Sequence, residues 1–470
     1  MKKWKFVMGP LGTLGVLLFG LSFVQAVQAE LTEFRLQNGM QVVVKTDHRS
    51  PIVVHQVWYR TGSNFEVNGT TGIAHMLEHM MFKGTRKVKP GEFSERISQM
   101  GGRENAFTSR DYTAYFQIVG KQHLKEVMQL EADRMRNLVF DEQAFQKERQ
   151  VVAEERRWRV EDKPSAKLYE QFMATAFMSS PLHHPTIGWM SDIEHYQLED
   201  VKRWYQAWYA PNNATLVVVG DVSADEVKAL AEATYGQYEA MPLQVPKPQV
   251  EVPQLGPREI TLRDATEIPV LLMGFQVPTL PSAQTEPERQ EVYALSLLAS
   301  ILDGDDSARL TKRLIREQKV ALSVGAGFHE TSRWRTLFLL QASPAKGQTL
   351  EALEQALWQQ IQQLQQAPIS ESELTRILSQ AEAQYVYQQD SAMGQAMLIG
   401  TLVSVGLPPD LMAHWVENLR KVTPAQIQAV AKKYLQPDKV TLGRLLPNGQ
   451  KVTRKLGATS HAMPMTGGVR

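Results

Sequence analysis

Apolar and polar positions alternate in two distinct rhythms along this chain. Period-two and β-branched runs at residues 40–45, 53–59, 215–219, 270–275 and 336–341 predict strands. Segments whose apolar residues recur at helical spacing, such as 350–364, predict the layer that covers them. The pattern then repeats. In residues 201–219 a helical segment stops ahead of Pro211 and a β-branched strand follows; in residues 427–442 another stops ahead of Pro437 with the same sequel. The second copy also carries its start signal, with Thr423 as N-cap and Pro424 at the first helical position. Between the copies lies the Pro-rich stretch 241–257, which cannot run as a helix and makes a poor central strand, so an extended linker is predicted. The duplication implies an α+β fold of two homologous domains, residues 30–240 and 258–455. Each is expected to be a mainly antiparallel sheet with helices packed on one side. Residues 456–470, with Gly467-Gly468 and no apolar period, are predicted to form a disordered tail.

The first 29 residues read differently. Lys2, Lys3 and Lys5 precede an apolar run over 12–24 and the small-residue step Val27-Gln28-Ala29, the pattern of a removable signal peptide. The run is shorter than the ~20 residues of a spanning helix and is broken by Gly and Ser. Export follows, to the periplasm if the host has two membranes, and no later run is long enough to span a bilayer. The chain has no cysteine, so its stability must come from packed cores rather than disulfides. Its 51 basic and 50 acidic residues are interleaved, leaving a net charge of +1 and no stripe for a nucleic-acid partner.

The chemistry is concentrated in Gly72-Ile-Ala-His-Met-Leu-Glu-His-Met-Met-Phe82. His75 and His79, four apart on a helix, share one face and can grip one metal ion, and Glu78 sits beside both. A zinc peptidase needs this set: neutral imidazoles to hold Zn²⁺, an open position for water, and a carboxylate to take that water's proton. The order His-x-x-Glu-His is the inverzincin arrangement. Without cysteine, a further ligand must be a distant carboxylate or histidine. Residues 141–158 predict a helix free of Gly and Pro, acidic in its first turn and basic toward its end, with Glu148 and Glu155 seven apart on one face. Glu154, on another face, reads as a solvated carboxylate.

These residues resemble the pitrilysin-type (M16) metallopeptidases, in particular the short-chain processing-peptidase branch. The resemblance extends to Asn38-Gly39 in a first hairpin, to residues 101–115, to Ala210-Pro-Asn-Asn213 and to Gly220-Asp221. It implies two homologous lobes facing across a cleft, with one Zn²⁺ per chain held by His75, His79 and Glu155. Glu148 would orient a ligand or tune the site, and Glu78 would act as general base and then general acid. Residues 102–107 would form an edge strand that pairs with an extended peptide substrate, with Asn105 and Ala106 as contacts.

The second half has nothing matching His-x-x-Glu-His. The family's substrate-binding Arg falls on Arg316, but its Tyr seven residues later falls on Ser323, too short to reach the same oxyanion; losing one such donor costs about 10²–10³ in rate. The resemblance therefore implies a heterodimer with a homologous chain that lacks zinc ligands and keeps the Arg and Tyr, or otherwise a homodimer. The alternatives are a non-catalytic scaffold subunit and a zinc- or peptide-binding subunit without turnover.

Overall fold

Two sheets carry the duplication. The computed structural model describes residues 31–243 and 247–450; the predicted signal peptide and the predicted tail lie outside the described residues. Strands β1 (Leu31–Arg35), β2 (Gln41–Thr46), β3 (Ile52–Tyr59), β4 (Arg103–Thr108), β5 (Thr113–Gly120) and β6 (Ala214–Gly220) form the first sheet in the order β1-β2-β6-β3-β5-β4. Strands β7 (Arg258–Asp264), β8 (Val270–Val277), β9 (Ala321–Gly327), β10 (Thr336–Pro344) and β11 (Val440–Pro447) form the second in the order β7-β11-β8-β10-β9. Without β1 the two orders coincide. Each has a single parallel pair in the same place, β2 with β6 and β7 with β11, and every other pair is antiparallel. Each half repeats a helix, a Pro-led turn and the strand that enters its sheet beside the first strand of the shared order; in the first half a further helix, Ala224–Thr234, follows that strand. Between Gln237 and Arg258 the described residues form neither helix nor strand.

Eight helices place the core and the site: α1 (Ile73–Met80), α2 (Glu142–Arg156), α3 (Pro164–Ala176), α4 (Leu198–Trp208), α5 (Glu286–Asp303), α6 (Leu350–Gln366), α7 (Ala392–Ser404) and α8 (Pro424–Tyr434). Thr423 caps α8 as expected, its hydroxyl accepting from the Gln426 N–H with Pro424 at the first position. Strand alternation divides each sheet between two cores. In the first, Val42, Val44, Val57 and Tyr115 face the half's own helices, including α1 and α4. Val43, Val54, Trp58 and Val217 face the other way. The second sheet splits likewise, with Met273, Phe275 and Leu340 packed on α5, α6 and α8.

Helices cover both faces of each sheet, where one covered side was expected, because each half lends a helix to the other. Helix α7, from the second half, lays Ala396, Ile399 and Val403 on the outer face of the first sheet. Helix α3, from the first half, lays Leu168, Phe172 and Met173 on Leu272, Leu337 and Leu445 of the second. Both crossings rely on glycine. A Cβ at Gly400 would lie 1.9 Å from the Trp58 ring, and Cβ atoms at Gly274 or Gly443 would lie 2.8 Å from the Phe172 ring. Burying side chains of this size contributes roughly 1.5–3 kcal/mol each, so the exchange ties the halves together. No helix among the described residues is long and apolar enough to cross a membrane.

Candidate metal centre

Helix α1 buries Ile73, Met76, Leu77 and Met80 against the first sheet, and this fixes the rotation of the positions between them. His75 and His79 consequently look out at α2, the next long element that α1 packs on. Helix α2 is capped by Asp141, whose carboxylate accepts from the Ala144 N–H at 2.8 Å, and its α-helical part stops two residues short of the predicted 158, loosening into a π-helical turn over Arg157–Glu161. Glu148 and Glu155 lie on its α1-facing side. Glu154 points to solvent and pairs with Arg157.

His75 Nε2 lies 3.6 Å and His79 Nε2 3.3 Å from Glu155 Oε2, and one donor atom from each of the three residues falls within 4.8 Å of the others. Two imidazoles and one carboxylate, convergent and with no fourth protein donor in the cluster among the described residues, are the donor set with which zinc keeps a position open, so these residues fit that ion. The surroundings hold the donors in place. His79 Nδ1 meets Glu148 Oε2 at 3.2 Å, and the other Glu148 oxygen takes Lys83 Nζ at 2.5 Å. Arg159, four residues past Glu155, holds Glu155 Oε1 at 2.7 Å and leaves Oε2 to the histidines. Glu78, largely buried, accepts from Thr108 Oγ1 at 2.6 Å.

Electrostatics prepare the same atoms. Burial pushes His75 down to about 4, the nearby His79 adding to the effect, so it is neutral at neutral pH. Burial also disfavours the His79 cation, but the Glu155 hydrogen bond and charge, then Glu148, outweigh it and raise its pKa above 6.5. Burial likewise opposes the Glu155 carboxylate, yet the His79 hydrogen bond and the His75 and Arg159 charges bring its pKa down to about 2. Burial lifts Glu78 above the ordinary carboxyl value, the Thr108 hydrogen bond offsetting only part of it.

The matches with known proteins agree with this geometry. Residues 41–188 match the family described as "Insulinase (Peptidase family M16)" and residues 195–381 the "Peptidase M16 inactive domain". The chain is 32% identical over 395 residues to "Zinc protease PqqE" of Helicobacter pylori, covering 83% of this chain and 87% of that one. The chain belongs to the M16 peptidase family. Another relative, "Uncharacterized zinc protease YmxG" of Bacillus subtilis, is 26% identical over 89% of this chain and 99% of its own. The crystal structure of a protease from Helicobacter pylori superposes with a TM-score of 0.84 at 29% identity, over 89% of this chain and all of that one.

The other M16 candidates lie farther out. The stretch expected to be an edge strand is β4, hydrogen-bonded to β5 on one side only. Strand alternation separates its two candidates: Ala106 shares the Thr108 face and packs toward α1, whereas Asn105 projects from the opposite face, exposed, its Oδ1 accepting from the Ala106 N–H. Arg316 sits in the π-helical turn Thr311–Glu317, more than half exposed, and pairs with Asp306 at 3.4 Å. Ser323 is exposed on β9, the edge strand equivalent to β4. Reasoning from sequence missed Thr108, Lys83 and Arg159. The latter two carried a local signal, since each stands four residues beyond His79 or Glu155 and reaches the same helix face.

Proposed function

We propose that this chain is an exported, zinc-dependent endopeptidase that hydrolyses extended or unfolded peptides. The observation that carries the proposal is the convergence of His75 and His79 Nε2 on Glu155 Oε2 beside the buried Glu78 carboxyl. In this reading His75, His79 and Glu155 hold one Zn²⁺, and Glu148 orients His79 through Nδ1. When bound, zinc supplies Lewis acidity to the scissile carbonyl and makes water acidic near neutral pH. Glu78 takes a proton from the attacking water on Oε1, because Thr108 engages Oε2, and returns it to the leaving amine. A carboxyl raised by burial is suited to both transfers. An extended peptide adds to the open edge of β4 along Asn105 and Ala106, so main-chain pairing selects unfolded segments rather than a sequence. The charged, then apolar pattern of residues 1–29 supports export, to the periplasm of a double-membraned host.

Because Ser323 stands where the resemblance expects Tyr and Arg316 is engaged with Asp306, the oxyanion donors come from a homologous subunit without the zinc triplet, in a heterodimer. The same two residues favour the rival reading, a non-catalytic scaffold or peptide-binding subunit. The test is cleavage of unstructured peptides by the zinc-loaded chain, alone and with such a homologue, beside Glu78→Gln. Cleavage lost with chelator and reduced about 10²–10⁴-fold by Glu78→Gln supports a peptidase. Cleavage by the chain alone removes the need for the partner, and no cleavage in either setting leaves the scaffold.

A further inference from the structure

We propose that Glu66 is a positioning residue for the metal centre: its buried carboxyl group grips the first turn of α1 and sets where His75 and His79 stand relative to Glu155. This inference rests on the metal-site reading above. Glu66 is only 4% exposed, and its two oxygens are divided between two backbone donors, Oε2 taking the Gly72 N–H at 2.5 Å and Oε1 the Ala74 N–H at 2.9 Å. These are among the otherwise unsatisfied N–H groups that open a helix. Ala74 is the residue before His75.

The grip bears on geometry because the start of α1 is wedged against the chain that holds α2. Gly72 (φ +84°) and Gly188 (φ +86°) cross backbone to backbone; a Cβ on Gly72 would lie 2.4 Å from Ile187 O, and one on Gly188 would lie 2.1 Å from Thr71 O. The Gly188 carbonyl accepts from Arg156 Nη1 at 2.6 Å, and Arg156 also makes a two-pronged pair with Glu170 at 2.8 and 2.9 Å. Arg156 immediately follows Glu155. The two histidines and the glutamate, on separate helices, are thus referred to one crossing point, Glu66 fixing α1 there and Arg156 fixing α2. Asp192 braces the approach, accepting from the Gly69 and Thr71 N–H groups and from Thr71 Oγ1.

A role in stability alone would lower the unfolding midpoint and leave the zinc affinity of the folded molecule unchanged. A positioning role weakens affinity even when the variant is fully folded. The experiment measures the zinc dissociation constant of the full chain by chelator competition for wild type, Glu66→Gln, His79→Ala and Leu357→Ala. Leu357 is buried in the second half's core, so its truncation destabilises without touching the site. Glu66→Gln replaces one acceptor oxygen with a donor and is expected to weaken zinc binding about 10–100-fold, while Leu357→Ala keeps the wild-type value. A Glu66→Gln value within twofold of wild type overturns the inference. Should that variant not fold, Glu66→Asp, which keeps both oxygens but withdraws them by one methylene, is read in its place by the same criterion. A wild type that binds no zinc, or a His79→Ala chain that binds as well as wild type, overturns the metal-site reading instead.

Discussion

The two halves share one strand frame and differ in what they bury. Among the described residues every buried charged or imidazole side chain, including His55, Glu66, His75, Asp111, Glu131, Arg134, Arg156 and His184, lies in the first half. The buried polar residues of the second half, such as Thr279, Thr336, Gln360 and Thr441, are all uncharged. The helices that follow the third core strand of each frame show the same contrast. After β8, α5 buries an apolar series, Val292, Leu295, Leu298, Ile301 and Leu302. After β3, α1 meets the same packing demand with Ile73, Ala74, Met76, Leu77 and Met80 and gives its remaining positions to His75, Glu78 and His79. The fold therefore requires no ionisable residue at these positions. An unpaired buried charge is costly, and the first half offsets that cost with partners: Arg134 pairs with Glu131, Arg156 with Glu170, and Glu66 accepts from the Gly72 and Ala74 N–H groups. The first half buries the charged groups, and among the described residues the second buries only uncharged ones.

The contrast breaks most sharply at a ligand. Glu155→Gln should weaken zinc binding by more than the ~10–100-fold that supporting residues contribute, with little change in the unfolding midpoint; equilibrium dialysis against zinc checks this, and unchanged affinity would remove α2 from the site. Next come the exchanged helices, which belong to both halves and so should behave alike. Phe172→Ala on α3 is expected to cost about 3–5 kcal/mol. Gly400→Ala on α7 gains about 1 kcal/mol of helix propensity, but the methyl meets Trp58 and the net loss is about 1–3 kcal/mol. Urea unfolding measures both, and a single cooperative transition in each variant shows that the halves unfold together.

The smallest effect, about tenfold per pH unit, is the proton linkage of zinc binding. The His79 pKa is raised above 6.5, so below it zinc must displace one proton and affinity falls as pH falls; above it affinity is flat. His75, lowered to about 4, adds a second displaced proton only below that value. Chelator competition from pH 4.5 to 8 should give a slope of one in the acid range, and a slope of zero there would show that His79 is not a ligand.

Much of this was legible from the residues. The runs at 53–59 and 336–341 became β3 and β10, and 350–364 became α6, because a sheet covered on both faces turns alternation into a nearly continuous apolar stretch such as Val42-Val43-Val44. The His75–His79 spacing placed both imidazoles on one face, while Glu155 needed the family resemblance, since nothing local says which of several glutamates faces another helix. The exchange of α3 and α7 was not legible, because apolar periodicity shows that a helix has a buried face and not which sheet that face meets. Glu66 and Arg156 were missed for a related reason: the contacts that tie them to the crossing point are with backbone groups of Gly72, Ala74 and Gly188, which carry no side-chain signature.

The claim that one half alone makes a metal site is tested most directly by diffraction from crystals of the zinc-loaded chain at the zinc absorption edge. The account predicts one anomalous peak per chain, within coordination distance of His75 Nε2, His79 Nε2 and Glu155. A peak in the second half, or none at these three residues, would contradict it.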